Sequence, residues 1–291
     1  MASHASNSNR YFVPDPSAWP FMLTAGLALT IIGVASFLED KNIGPIPLYA
    51  GAALSIYIIF RWIRGVALES EAGVYNQKVD MTFRMGMAWF IFSEVMFFGA
   101  FFGALYYARD LSVPWLAGEG TKIATHLTHW VNFEAVWPTN GPADLGGDFS
   151  TIGAWGVPFL NTVILITSGF TLEMAHHALK HDKRLTTIIW MWVTVALGAA
   201  FLYFQAEEYI HAYRDLNLTL ESGIYGSTFF MLTGFHGMHV TLGTLMLLII
   251  TIRLMVGHFN SERHFGFEGV GWYWHFVDVV WIGLFIFVYV F

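Results

Sequence analysis

The chain alternates between long apolar runs and short polar connections, with no strict two-residue alternation that would predict strands. A helix needs about 20 apolar residues to cross a bilayer. Seven stretches meet that length: Trp19–Phe37, Ile46–Ile63, Met85–Tyr107, Gly156–Ala175, Ile188–Ala206, Ile224–Met255 and Val270–Phe291. The pattern predicts an all-α membrane protein of seven transmembrane helices, preceded by an arm over residues 1–18. The second run is the weakest. The sixth, if continuous, rises about 48 Å and must tilt or project from the bilayer. Residues 108–155 are too long for a simple connector, and their Gly, Pro, Trp and His content predicts a segment folded over the surface or a partner. The basic stretch Arg61–Arg84 separates the first two spans from the other five, and no internal repeat is visible.

Composition agrees with this reading. Of the 291 residues, 56% are hydrophobic and only 12% charged, about half the charged share of soluble domains. The absence of cysteine removes disulfides, thiolate metal sites and Cys nucleophiles. The net charge of −7, without any basic tract, excludes a nucleic-acid partner. No cleavable signal precedes the first span. The basic residues fix an orientation. Ten of the fourteen (Arg10, Arg61, Arg64, Lys78, Arg84, Lys180, Lys183, Arg184, Arg253, Arg263) fall on the N-terminal side of the membrane, and four (Lys41, Arg109, Lys122, Arg214) fall on the other. The positive-inside rule then places the N-terminus in the cytoplasm and Phe291 outside.

Polar groups inside the spans carry the candidate chemistry. Glu94 lies nine residues into the third run, among Phe92, Val95, Met96, Phe97 and Phe98. Desolvation there favours a neutral carboxyl, which could be a hydrogen-bond partner for another helix or a proton or lipid site. Glu173, His177 and His181 share a face at the inner end of span four, beside His176. His236 and His239 sit mid-span, and His275 and Asp278 are spaced to pair. HHxxxH and HxxH resemble pieces of the histidine boxes of membrane di-iron oxygenases. Those boxes need many histidines at one depth, whereas here His176, His177, His181 and His264 lie near the inner surface, His236 and His239 mid-bilayer and His211 outside. Interhelical hydrogen bonding is therefore favoured over a metal site. A proton-coupled transporter would have only Glu94, His236 and His239 near mid-membrane. The small-residue pairs Gly223/Gly226 and Gly234/Gly237 predict close helix contact, and Trp272, Tyr273 and Trp274 predict interface anchoring.

Taken in order, Pro16-Ser-Ala-Trp-Pro20, Arg84-Met-Gly86, Phe92-Ser-Glu94, Asn161-Thr162, Ala175-His-His177, Gln205-Ala-Glu-Glu208-Tyr209, Tyr225-Gly-Ser-Thr-Phe-Phe230, Gly234-Phe-His-Gly-Met-His239, Phe265-Gly-Phe-Glu268 and Trp272-Tyr-Trp-His-Phe-Val-Asp-Val-Val-Trp281 resemble the cytochrome c oxidase subunit III family along nearly the whole chain. The resemblance implies a subunit without haem, copper or a catalytic residue of its own. It implies packing on subunit I, contacts with subunit II and other oxidase subunits, and cytochrome c as electron donor to the complex. It also implies a cleft between spans one and two and spans three to seven that holds phospholipids, with support of proton uptake and protection from turnover inactivation. Glu94 then corresponds to the family's buried, carbodiimide-reactive glutamate. Trp62, Glu69, Arg253, His258 and Arg263 would join it in lipid binding, while Arg84, Glu173, His176, His177, Glu208, His236, His239, His275 and Asp278 would be structural polar groups. No metal ligand is expected. Two departures stand out: Tyr75 replaces a histidine that contacts lipid in some relatives, and the arm has one histidine, His4, where relatives have several. The length of the 108–155 loop suggests a bacterial chain and hence a bacterial inner membrane.

Overall fold

The computed structural model describes residues 12–14, 16–39 and 44–291, so His4, Arg10 and Lys41, singled out above, lie outside the described residues. It is all-helical, and among the described residues seven helices are long and apolar enough to cross a membrane. The chain divides into two units, residues 1–83 and 84–291.

The first unit holds a helical hairpin, α1 (Trp19–Leu38) and α2 (Pro45–Glu71). Proline opens both helices, where its missing N–H is harmless. The two helices meet through small residues. A β-carbon on Gly33 would lie 2.2 Å from the Leu48 backbone nitrogen, and one on Gly51 would lie 2.5 Å from that of Thr30. The polypeptide from Arg61 onward is not a loop, because α2 continues unbroken to Glu71. Only residues 72–76 separate it from α3 (Gln77–Tyr106). Asn76 starts α3 by accepting the Val79 N–H on its side chain at 3.1 Å, as an N-cap residue does.

In the second unit, α3 runs into a π-helical turn (Tyr107–Ser112), then α4 (Val113–Leu116) and α5 (Ile123–His129). Four long helices follow: α6 (Val157–Lys180), α7 (Arg184–Asp215), α8 (Gly223–Val256) and α9 (Phe265–Leu284), the last extended by a π-helical turn to Val290. Helix α6 packs on α7, α7 on α8, α8 on α9, and α9 returns to α6. Inside this ring Leu165, Leu172, Met191, Phe201, Phe229, Leu247, Val277 and Trp281 are fully or almost fully buried. The expected sixth span is one continuous helix of 34 residues, about 51 Å at 1.5 Å per residue. It ends at Gly257, whose φ of 100° permits the left-handed turn that closes the helix. Arg184 donates to the exposed carbonyls of Leu254 (2.7 Å) and Met255 (3.1 Å), so the last turn of α8 is capped from α7.

The 108–155 segment folds back on the α7–α8 connection. Ser150 N–H donates to Leu216 O at 2.9 Å, Tyr225 N–H to Thr139 O at 3.2 Å, and Asn217 Nδ2 to the carbonyls of Gly146 and Asp148. Phe149 stacks on Tyr225, which also meets Trp137 edge-on.

Two sequence expectations about packing are corrected here. Tyr273 and Trp274 are 3% and 0% exposed and belong to the core, leaving only Trp272 at the surface. Trp274 fits because Gly198 and Gly243 leave room for its ring, and its indole N–H donates to Ser168 Oγ at 2.9 Å. Of the glycine pairs, Gly223 and Gly226 abut the backbone of Asn140 and Thr219 rather than a neighbouring helix, and Gly237 faces open space.

Candidate functional site

Among the described residues, four clusters of ionisable groups tie helices of the second unit together. Glu94, on the half-exposed face of α3, meets α8. Its Oε2 lies 3.0 Å from His239 Nε2. The other ring nitrogen, Nδ1, lies 2.6 Å from the Phe235 carbonyl and must carry a proton to bond there. In a neutral ring Nε2 is then an acceptor, which suits a protonated Glu94 as donor; with an imidazolium the direction reverses and the geometry persists. Phe98 and Tyr273 flank the imidazole, and the Tyr273 hydroxyl donates to His239 O at 3.4 Å. His236, one helical turn away, is directed elsewhere: Nε2 bonds Val277 O at 3.2 Å on α9, and its ring packs on Trp281. The two mid-span histidines therefore serve different helices and do not converge.

Toward the opposite end from the 108–155 segment, His275 on α9 bridges two carboxylates. Its Nε2 is 3.0 Å from Glu173 Oε1 on α6, and Nδ1 is 3.6 Å from Asp278 Oδ2 one turn along α9. Glu173 thus pairs across helices, while its face-mate His177 packs ring to ring with His181 at 4.3 Å. Nearer the chain reversal, Glu268 pairs with Arg84 of α3 through Oε2, and its Oε1 faces His264 and His176 at 3.2 and 3.4 Å. At the 108–155 end, Glu208 of α7 is 3% exposed and accepts from the Tyr289 hydroxyl at 2.6 Å, with Gln205 Nε2 at 3.5 Å.

The residues expected to bind lipid are divided between the two units. Arg253 Nε donates to His258 Nδ1 at 3.3 Å, and the guanidinium lies 4.5 Å from the centre of the Phe259 ring, forming a knot below α8. Arg263 is exposed, and its backbone N–H donates to Asn260 Oδ1 at 2.7 Å. Trp62 and Glu69 belong to the first unit. There Trp62 is 38% exposed, and Glu69 accepts from the Tyr75 hydroxyl at 2.6 Å. Partial burial, then the neighbouring carboxylate, pushes the Tyr75 hydroxyl well above the ordinary tyrosine range, so it remains a donor.

Sequence reasoning missed Tyr289 and the Tyr75–Glu69 pair, since isolated tyrosines give no periodic signal. It placed His264 at the correct end without its partner Glu268, although their four-residue spacing was available.

The cytochrome c oxidase subunit III family model matches residues 9–291. Proteins named cytochrome c oxidase subunit 3 from Marchantia polymorpha and Arabidopsis thaliana are each 38% identical over 285 residues, which is 98% of this chain and 97% of theirs. The Drosophila melanogaster protein of that name is 36% identical over 290 residues, 99% of this chain and 98% of its own. A match of this extent, on an all-helical chain with seven membrane-length helices, shows that the chain belongs to the cytochrome c oxidase subunit III family.

Proposed function

We propose that this chain is the non-redox subunit of a proton-pumping cytochrome c oxidase. It packs on subunit I, beside subunit II and other oxidase subunits, while haem and copper stay in the partners. Its own bound molecules are phospholipids, with Trp62, Glu69, Glu94, Arg253, His258 and Arg263 as contacts in a cleft between the first two spans and the rest. It supports proton uptake by subunit I and protects the complex from inactivation during turnover with cytochrome c and oxygen. It lies in a bacterial inner membrane, N-terminus cytoplasmic and C-terminus periplasmic.

The observation that carries this reading is the engagement of the intramembrane acids. Glu94, Glu173, Glu208 and Glu268 each bond to a group on another helix of the same chain. Polar groups used this way hold helices together. A di-iron oxygenase or a transporter would instead direct several of them toward one common cavity at mid-membrane. The large apolar side chains left exposed along α3 (Trp89, Phe90, Phe92, Val95, Met96) suit a surface covered by lipid or by another subunit.

The test is to purify the oxidase from cells with and without this chain. The expected result is unchanged haem and copper per complex, less bound phospholipid, a normal initial rate and inactivation after fewer turnovers. Loss of haem or copper in proportion to loss of this chain would overturn the reading.

A further inference from the structure

The cluster around Glu268 has a feature that helix pairing alone leaves unexplained. His264 caps α9 and Glu268 lies one turn inside it, so both present to the same side, where His176 arrives from the last turns of α6. Glu268 Oε1 is 3.2 Å from His264 Nε2 and 3.4 Å from His176 Nε2, and the three atoms all lie within 4.8 Å of one another. The side chains of His264, Glu268 and His176 are only 9%, 12% and 19% exposed. Both Nε2 atoms are buried and neither makes a hydrogen bond, although a carboxylate oxygen stands within reach. The close approaches therefore lack hydrogen-bond alignment.

The protonation pattern sharpens this. His264 Nδ1 lies 3.0 Å from the carbonyl oxygen of Asn260, so Nδ1 carries the ring proton. In the neutral ring Nε2 is then a lone pair facing a second acceptor. Two acceptors at 3.2 Å repel unless a proton or a metal ion lies between them; a proton would sit near the line joining the atoms, and no hydrogen bond is aligned there. A tetrahedral ion held at about 2.0–2.1 Å by nitrogen and oxygen has ligand atoms about 3.3–3.5 Å apart, with lone pairs aimed at the centre and not at each other. That accounts for both the spacing around Oε1 and the absence of hydrogen-bond alignment. The surroundings are also those of a metal-ligand set. The His264 imidazole donates its far N–H to a backbone carbonyl, and the far carboxylate oxygen, Oε2, is ion-paired with Arg84.

We propose that His176, His264 and Glu268 bind a divalent ion of the zinc class, with solvent as fourth ligand, clamping the end of α6 to the start of α9. Two imidazole nitrogens and one carboxylate oxygen are a donor set that zinc accepts readily. This departs from the sequence expectation of no metal ligand, and it is independent of the lipid and proton-uptake roles proposed above. The ion is not redox-active. The guanidinium of Arg84 opposes the added charge, so the ion should exchange and be removable by a chelator.

The experiment uses the intact oxidase, untagged, stripped with a chelator and titrated with zinc chloride. The wild-type complex should regain one zinc more than complexes carrying His264→Gln or His176→Gln, whose affinity at this site should fall at least tenfold. Equal uptake by wild type and both variants would overturn the proposal. Should the variants fail to assemble, zinc-edge X-ray absorption of the wild-type complex, reloaded minus stripped, decides. Two imidazole nitrogens and oxygen at about 2.0–2.2 Å would support the site, and a shell without imidazole would sink it.

Discussion

In the α1–α2 hairpin two helices come together mainly at small residues, Gly26, Gly33, Gly51 and Ser55, whereas in the α6–α9 ring they come together around large side chains. Of the most apolar 18-residue stretch, 11% is buried in α1 and 17% in α2, against 50% in α9. The hairpin gains its contact from glycines that let backbones approach, a packing mode suited to lipid, where apolar side chains gain little by leaving the solvent. The ring adds what the hairpin lacks: interlocking aromatics and hydrogen bonds between helices, such as Trp274 to Ser168 and Trp281 to Thr162, both 2.9 Å. Helix α3 resembles the hairpin in exposure, also 11% buried, yet it is tied to the ring by Glu94 and Arg84. Exposed apolar length is thus not a sign of a loose element. It marks surface for lipid or partner proteins, and a few polar bonds or glycine contacts decide how firmly such an element is held.

The largest effect should come from the ring. Trp274 is fully buried between Gly198 and Gly243, so Trp274→Ala removes a whole indole and leaves Ser168 without its donor. The expected loss is about 3–5 kcal/mol, read as early release of this chain when the purified complex is heated. Trp274→Phe should recover more than half of it. If Trp274→Ala released the chain no earlier than wild type, the ring would not be the stable part of the comparison.

Next comes the hairpin. Gly33→Ala places a methyl group 2.2 Å from the backbone nitrogen of Leu48, which cannot move aside as a flexible side chain could. Overpacking of this kind costs about 1–3 kcal/mol. Gly99→Ala on α3 meets nothing within 4 Å and should be neutral or slightly stabilising through helix propensity. The pair is compared by the amount of chain retained per haem in the purified complex. Equal retention would mean that α1 and α2 are not held by close backbone approach.

The number and type of helices were legible because hydropathy over 20 residues is a strong, local signal. Their ends were less so. Arg61 and Arg64 look like loop residues by charge, yet they sit within helical α2, since long basic side chains can reach the membrane surface from an unbroken helix. The same locality explains the site. Spacing along one helix showed that Glu173, His177 and His181 share a face, but it could not show that Glu173 would leave that face to bond His275, 102 residues away. The pairing of Glu94 with His239 spans 145 residues and is likewise a product of how α3 meets α8. Trp274 was misread for a related reason. Aromatics at a span's start read as interface anchors, and only the two facing glycines on α7 and α8 disclose that the ring turns inward.

Glu94 is the point where α3 departs from the hairpin it otherwise resembles, and substitution there measures the tie. Glu94→Ala leaves His239 Nε2 without a partner and should cost about 1–3 kcal/mol, read as lower heat stability of the complex and weaker lipid retention. Glu94→Gln can still bond the imidazole and should lose less than half of that. It should pump protons at the normal ratio and no longer react with a hydrophobic carbodiimide. A Gln variant that assembles but does not pump would make Glu94 a proton carrier and not a strut.

The smallest effect concerns the short connection between the hairpin and α3. Tyr75 donates to Glu69 at 2.6 Å, and its ring also contacts Phe12 and Phe83 edge-on. Tyr75→Phe keeps the ring contacts and removes only the hydrogen bond, at a net cost of about 0.5–1.5 kcal/mol. Such a loss should raise the rate of limited proteolysis at residues 72–76 by about 2- to 10-fold, if cutting follows local opening. The pH dependence follows from the direction of the tyrosine shift. Because burial and Glu69 push the hydroxyl up, the stabilisation is complete below the ordinary tyrosine range and is lost only as pH rises through the raised value. The ratio of variant to wild-type cutting should therefore be flat from pH 7 to pH 9. A ratio that falls toward one within that range would mean that the wild-type bond is already failing, with Tyr75 ionising as an ordinary exposed tyrosine would begin to do.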